Sequence, residues 1–144
     1  MDRLVDVARA AWLSAFATTA PPERLAYWRR NDREPSWYAR YWRDMTVATV
    51  ADLVVGVVQP AADEVNGLWV APEWQGRGVG SKLLEAAELQ IREGGHARAW
   101  LSCASCNARA RRFYQARGYR AVSTRTELLS GGLRDEMIIF EKAL

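Results

Sequence analysis

Lysine is scarce in this chain. Only Lys82 and Lys142 occur, so the basic charge is carried almost entirely by arginine. The formal net charge is a modest +3. That balance suits a multiply charged anion. It falls short of the concentrated basic face expected of a nucleic-acid binder, so no nucleic-acid partner is expected. Histidine is scarcer still, with His96 alone. Cysteine is limited to Cys103 and Cys106 in "LSCASCN". A structural zinc site needs four ligands, and a second cysteine pair is missing, so no metal is expected. A thioredoxin-like role would need an exposed, activated thiol at a helix N-terminus. Cys106 does precede a helical segment, but small buried residues at a strand end are the simpler reading. No apolar run approaches the roughly 20 residues that span a bilayer. The opening "MDRLVDVARAAW" is charged and amphipathic, without the apolar core and small-residue cleavage site of a secretory signal. A cytoplasmic protein without membrane contact is expected.

What is present is ordinary globular composition. The 144 residues, 49% of them hydrophobic, suit one domain over residues 1–144 with its own core. Leu4, Val7, Ala8, Ala11, Trp12 and Ala15 recur at helical spacing, predicting a helix from Arg3 to Phe16 with Asp2 as its N-cap. "TTAPPE" breaks it. A second helical region, Arg24 to Arg43, is interrupted near "NDREPS". Met45 to Val50 and Leu53 to Val58 read as strands joined at Ala51 and Asp52. "QPAADE" then closes the pair, and Val65 to Val70 is a third strand. A helix from Val79 to Glu93 buries Leu83, Leu84, Ala87 and Ile91 and stops at Gly94 and Gly95. Ala99 to Cys103 is a strand. Asn107 caps a helix over Ala108 to Ala116, which ends at Gly118. Tyr119 to Leu128 and Glu136 to Lys142 form a last hairpin, with "SGGLRD" as its turn. This order argues for an α+β fold rather than a doubly wound parallel one.

The chemistry gathers at "PEWQGRGVG", Pro72 to Gly80, between a strand and a helix. Glycines at such a junction let backbone amides approach a ligand, and the helix N-terminus favours an anion. Neither the G-x-x-x-x-G-K-[ST] nor the G-x-G-x-x-G spacing fits. The pattern Q-x-x-G-x-G does, with Gln75, Gly78 and Gly80. It resembles the pyrophosphate loop of the GNAT superfamily of acyl-CoA-dependent N-acetyltransferases. "NARARRFYQARGY" is similar to that family's second signature through Asn107, Phe113, Tyr114, Gly118 and Tyr119. Together the two matches cover Glu64 to Tyr119.

The resemblance implies a mixed, mostly antiparallel central sheet flanked by helices, and acetyl-CoA as co-substrate. Backbone amides from Gly76 through Arg77, Gly78, Val79 and Gly80 to Ser81 would face the pyrophosphate, and Arg77 would add charge. The strand before the loop would splay from its neighbour. Leu68 and Val70 would pair there with the pantetheine arm, and Asn107 would meet the arm from the other side. Val70 N–H would polarise the thioester carbonyl. Tyr114 would protonate the departing thiolate. Glu64, sharing a strand face with Asn66, would be the general base, with Asp63 as fallback. The family builds its acceptor pocket near "PSWYARYW", so Trp37, Tyr38 and Tyr41 are the acceptor-side candidates. The acceptor would be a small-molecule amine or a protein N-terminal amine. The family's usual first edge strand has no counterpart ahead of the first helix, and a homodimer could cover that edge. A non-catalytic acyl-CoA sensor is the alternative reading; the retained Tyr114 favours an enzyme.

Overall fold

The computed structural model describes residues 2–31, 34–128 and 132–144, without the Glu34 side chain. Asp2–Phe16 is α1, Pro22–Arg30 is α2 and Glu34–Tyr41 is α3, followed by a 3₁₀ turn at Trp42–Asp44. Asp2 lies inside α1 rather than capping it. The strands β1 (Thr46–Val50), β2 (Leu53–Ala61) and β3 (Glu64–Val70) follow. Then come a 3₁₀ turn at Pro72–Trp74, α4 (Val79–Glu93), β4 (Arg98–Ala104), α5 (Ala108–Ala116), β5 (Arg120–Leu128) and β6 (Arg134–Ala143). Among the described residues no helix is long and apolar enough to cross a membrane.

The described strands form one sheet in the order β1-β2-β3-β4-β6-β5. Every neighbour pair is antiparallel except β3 with β4. No described strand precedes α1, and β1 forms one edge of the sheet. Alternation along β2 sorts its side chains between two cores. Val58 joins Leu83, Leu84, Ala87 and Ile91 of α4, while Val57 joins Val5 and Ala8 of α1 and Tyr38 of α3. The sheet is therefore covered by α4 and α5 on one face and by α1 and α3 on the other.

Two strand boundaries differ from the sequence expectation by two residues or more. β2 runs on to Ala61, and Ala62–Asp63 rather than "QPAADE" makes the turn. Pro60 is tolerated because β1 pairs with β2 only as far as Val58, which leaves Pro60 on a stretch bonded on one side. β6 begins at Arg134, earlier than Glu136. Residues 129–131 of its turn, and 32–33 of the predicted helix break, lie outside the described residues. At the β1–β2 turn, Ala51 and Asp52 both have positive φ, 48° and 66°. That is the mirror-type two-residue turn, which matches the twist of paired strands.

One irregularity positions everything that follows. Val58 pairs with Leu68, but Pro60 pairs with Val65, so Gln59 faces both Asn66 and Gly67. Gly67 supplies the φ of +82° that this bulge uses. Beyond it β3 leaves β4. Their parallel ladder is confined to Glu64 and Trp100, with Trp100 N–H donating to the Asp63 carbonyl at 3.0 Å.

Candidate active site

The opening between β3 and β4 exposes main chain. Ala71 N–H donates to the Val55 carbonyl at 2.8 Å, which makes those two residues a hydrogen-bonded pair. Trp69 and Val57, two residues along, form the next such pair. Leu68 and Val70 lie in the alternate pairs, so their N–H and C=O groups face away from β2, into the opening.

A cavity of about 260 Å³ occupies this place. Its floor is Leu68, Trp69 and Val70; one wall is Gln75, Gly76, Gly78, Gly80 and Ser81. Asn107, Arg109, Phe113, Tyr114 and Arg117 come from the α5 side, and Ala11, Ser14 and Ala15 from α1. Glycine serves different ends within the loop. Gly76 and Gly78 have φ of +72° and +83°, and a Cβ on either would meet nothing within 4 Å. Their backbone angles call for glycine, and the space beside them is open. Gly80 has no such angle. A Cβ there would sit 3.2 Å from the Phe113 ring, so a side chain at this position would require Phe113 to shift by a few tenths of an ångström. The N–H groups of Val79, Gly80 and Ser81 precede the first intrahelical acceptor, because Lys82 N–H is the one that reaches the Gly78 carbonyl, at 3.2 Å.

Side chains brace the loop. Gln75 Nε2 donates to the Val70 carbonyl at 2.9 Å, and its Oε1 accepts from Arg109. Asn107 Oδ1 accepts from Ala110 N–H at 3.1 Å, so Asn107 caps α5 while also lining the cavity. Tyr114 is buried against Tyr119, with ring centres 5.8 Å apart. Burial, reinforced by the neighbouring Cys103, pushes its phenol well above the ordinary value. Its hydroxyl stays protonated and makes no hydrogen bond among the described residues.

Several expected site residues do not line the cavity. The Arg77 guanidinium lies over the Trp74 ring, 5.0 Å from its centre, and does not line the cavity. The expectation for Val79 concerns its N–H alone; its side chain turns into the core, where a Cβ on Gly56 would meet it at 3.2 Å. Arg109 and Arg117 are the arginines that line the cavity. Phe113 and Tyr114 both line the cavity, and Tyr114 is the more buried. Tyr38 is core, packed between α1 and β2. Trp37 Nε1 donates to the buried Gln59 Oε1 at 3.1 Å, and its ring tilts against Tyr41 at 4.5 Å. None of Trp37, Tyr38 and Tyr41 lines the cavity; α1 and Trp69 form that side. Glu64 is half-buried at the other end of β3, also outside the lining. Burial and then Asp63 raise its carboxyl above 4.5, and Arg125 opposes them. Cys103 is buried with its thiol pushed up to about 11, the opposite of an activated cysteine.

The family model for the Acetyltransferase (GNAT) family matches residues 1–119. The chain belongs to the GNAT acetyltransferase family. It is a GNAT-family N-acetyltransferase. An uncharacterized N-acetyltransferase in the pepI 3′ region of Lactobacillus delbrueckii subsp. lactis is 29% identical over 125 residues, covering 87% of this chain and 68% of that protein. A GCN5-related N-acetyltransferase from Rhodopseudomonas palustris superposes with a TM-score of 0.84 at 24% identity, over 98% of this chain and 88% of that one. The PaiA N-acetyltransferase of Thermoplasma acidophilum, in complex with coenzyme A, has a TM-score of 0.74 at 22% identity, over 99% and 92% of the two chains. At these identities the two structures speak for the GNAT fold.

Proposed function

We propose that this GNAT domain moves the acetyl group of acetyl-CoA to a primary amine by direct attack, with Tyr114 assisting the departing thiolate. One observation carries the reading. A buried Tyr114, its phenol held protonated, lines the same cavity as Leu68, Val70 and the first turn of α4.

The loop amides from Gly76 to Ser81 take the pyrophosphate, and the pantetheine arm lies along Leu68 and Val70. The amine nitrogen attacks the thioester carbonyl carbon while Val70 N–H donates to the developing oxyanion. Collapse breaks the C–S bond and leaves charge on sulfur, to which Tyr114 donates. Burial makes the phenol a poorer acid than the thiol it faces. Its contribution is therefore a hydrogen bond to the forming thiolate, with solvent supplying the final proton. The nitrogen must also lose a proton. Glu64 lies four residues before Leu68, about 13 Å along a strand, so it serves through intervening water rather than by contact.

The acceptor enters on the α1 side and is a small-molecule amine or a protein N-terminal amine. A panel of such amines, read by free-thiol release from acetyl-CoA, tests the function. Release above the hydrolytic background with at least one amine is expected. Tight acetyl-CoA binding with no release across a broad panel would replace the enzyme by a sensor.

A further inference from the structure

Arg117 follows the last turn of α5, and its guanidinium is fixed from three directions. Nε donates to the Ser81 hydroxyl at 2.9 Å, Nη2 donates to the same oxygen, and Nη1 donates to the Phe113 carbonyl at 2.9 Å. Its central carbon sits 3.8 Å from the centre of the Phe113 ring. Every one of these partners is neutral. Among the described residues no Asp or Glu lines the cavity. A guanidinium carries five N–H groups, so two remain, one on each terminal nitrogen. The charge is thus held rigidly without an ion pair among the described residues; the neighbouring groove carries Glu85 and a Glu88 that is already bonded to Lys142 and Tyr119. The guanidinium also stands beside the first turn of α4, where the helix dipole disfavours a cation. Such an arrangement is stabilised when an anion arrives.

Position distinguishes which anion. Arg117 and Ser81 line the thioester cavity, and both also line a second groove between α4 and the end of α5. Arg117 therefore stands where the cavity passes into the groove. In coenzyme A the pyrophosphate separates the pantetheine arm from the 3′-phosphorylated adenosine. With the arm towards Tyr114 and the pyrophosphate on the loop, the adenosine end leaves past Arg117. A phosphomonoester carries close to two negative charges and matches a planar guanidinium fork.

Resting on the reading that the loop holds the pyrophosphate, we propose that Arg117 binds the 3′-phosphate of coenzyme A and makes the enzyme select it over 3′-dephospho-coenzyme A. Ser81 and Phe113 are the positioning partners. Arg109 lies eight residues before Arg117, about 12 Å by helical rise, and Gln75 holds it at the other end of α5.

Calorimetric titration of the wild type, Arg117→Gln and Arg117→Lys with coenzyme A and with its 3′-dephospho form tests this. Hydrogen bonds to charged groups suggest a wild-type preference for coenzyme A of roughly 10- to 100-fold. Arg117→Gln should lose most of that preference while its affinity for the dephospho form stays within about twofold. Glutamine can still bond to Ser81, so the fold is kept, and thermal melting checks it. Arg117→Lys should retain more of the preference than Arg117→Gln. Equal binding of the two ligands by the wild type, an equal loss for both in Arg117→Gln, or the reverse order of the two variants would each overturn the assignment. A wild type that binds neither ligand would remove the loop reading as well.

Discussion

Gln75 holds Val70: its Nε2 donates to the Val70 carbonyl at 2.9 Å. One of the backbone groups that the splayed strands turn outward is therefore already occupied. The Val70 N–H remains for a ligand. The same amide accepts from Arg109, so one side chain ties the end of β3 to α5 across the cavity.

Replacing Gln75 by Ala should free both partners and let the loop drift. A neutral hydrogen bond is worth about 1 kcal/mol, so acetyl-CoA affinity should fall about five- to tenfold. The melting temperature should move little, because Gln75 lies on a partly exposed loop. Calorimetry reads the first effect. Undiminished affinity would leave the Gln75 brace without a part in binding.

Gly78→Val should be harsher, and for two separable reasons. The φ of +83° costs a side chain about 1–2 kcal/mol, which lowers stability. The open space beside Gly78 is where the loop reading puts the pyrophosphate, so the added methyls should also cut acetyl-CoA affinity more than about tenfold (over 1.4 kcal/mol). Gly80→Ala should disturb binding indirectly, by pushing Phe113 and the Arg117 stacked on it. Melting curves and titrations together separate the two glycines. A Gly78→Val protein with lowered stability but full affinity would empty the loop of its ligand.

These contrasts show which features the sequence announces. Gly76, Gly78 and Gly80 between a strand and a helix are visible as a pattern, because backbone conformation and close packing leave few other residues able to stand there. Asn107 before an amphipathic segment is visible for the same kind of reason. The arginines are not. "NARARRFYQARGY" offers four of them on one helix and its end, and which ones reach the cavity depends on how α5 docks against α4. Arg109 and Arg117 were missed in this way, and Arg77 was favoured because it sits inside the motif. One available signal was Arg117 at four residues from Phe113, a helical neighbour. Gly67 inside a strand was a second signal, since an interior glycine often marks a bulge. The aromatics of "PSWYARYW" lie outside the cavity lining, and the sequence does not announce this because a ring at helical spacing reads alike whether it meets substrate or sheet.

Tyr114→Phe removes a hydroxyl and keeps the ring that packs on Tyr119 and Phe140. Stability and acetyl-CoA affinity should therefore stay near wild type. Turnover should fall by roughly ten- to a hundredfold, the worth of one hydrogen bond to a developing charge. The phenol is raised by burial, so no alkaline limb from Tyr114 should appear below about pH 10. The same shift makes the stability it contributes complete below that pH and lost as pH rises towards the folded value. Turnover within about twofold of wild type, where chemistry limits the rate, would return Tyr114 to packing alone.

Glu64→Gln separates stability from catalysis. The folded protein raises this carboxyl, chiefly by burial and then through Asp63. A raised acid is favoured in its protonated form, so its contribution is complete below the ordinary 4.5 and is lost as pH rises through the folded value. At neutral pH the ionised carboxylate is therefore a slight burden. Glu64→Gln should melt no lower than wild type at pH 7.5, and the two curves should converge near pH 4. Catalysis should move the other way. The amide keeps the shape but cannot take a proton, so turnover should drop roughly ten- to a hundredfold, the low end of acid–base effects for a group acting through water. The KM for acetyl-CoA should hold, because Glu64 lies outside the cavity lining. The acid limb of the wild-type kcat profile, set above the ordinary carboxylate value, should disappear with the carboxylate. A variant that retains both the wild-type rate and that limb would transfer the proton to Asp63 or to bulk water.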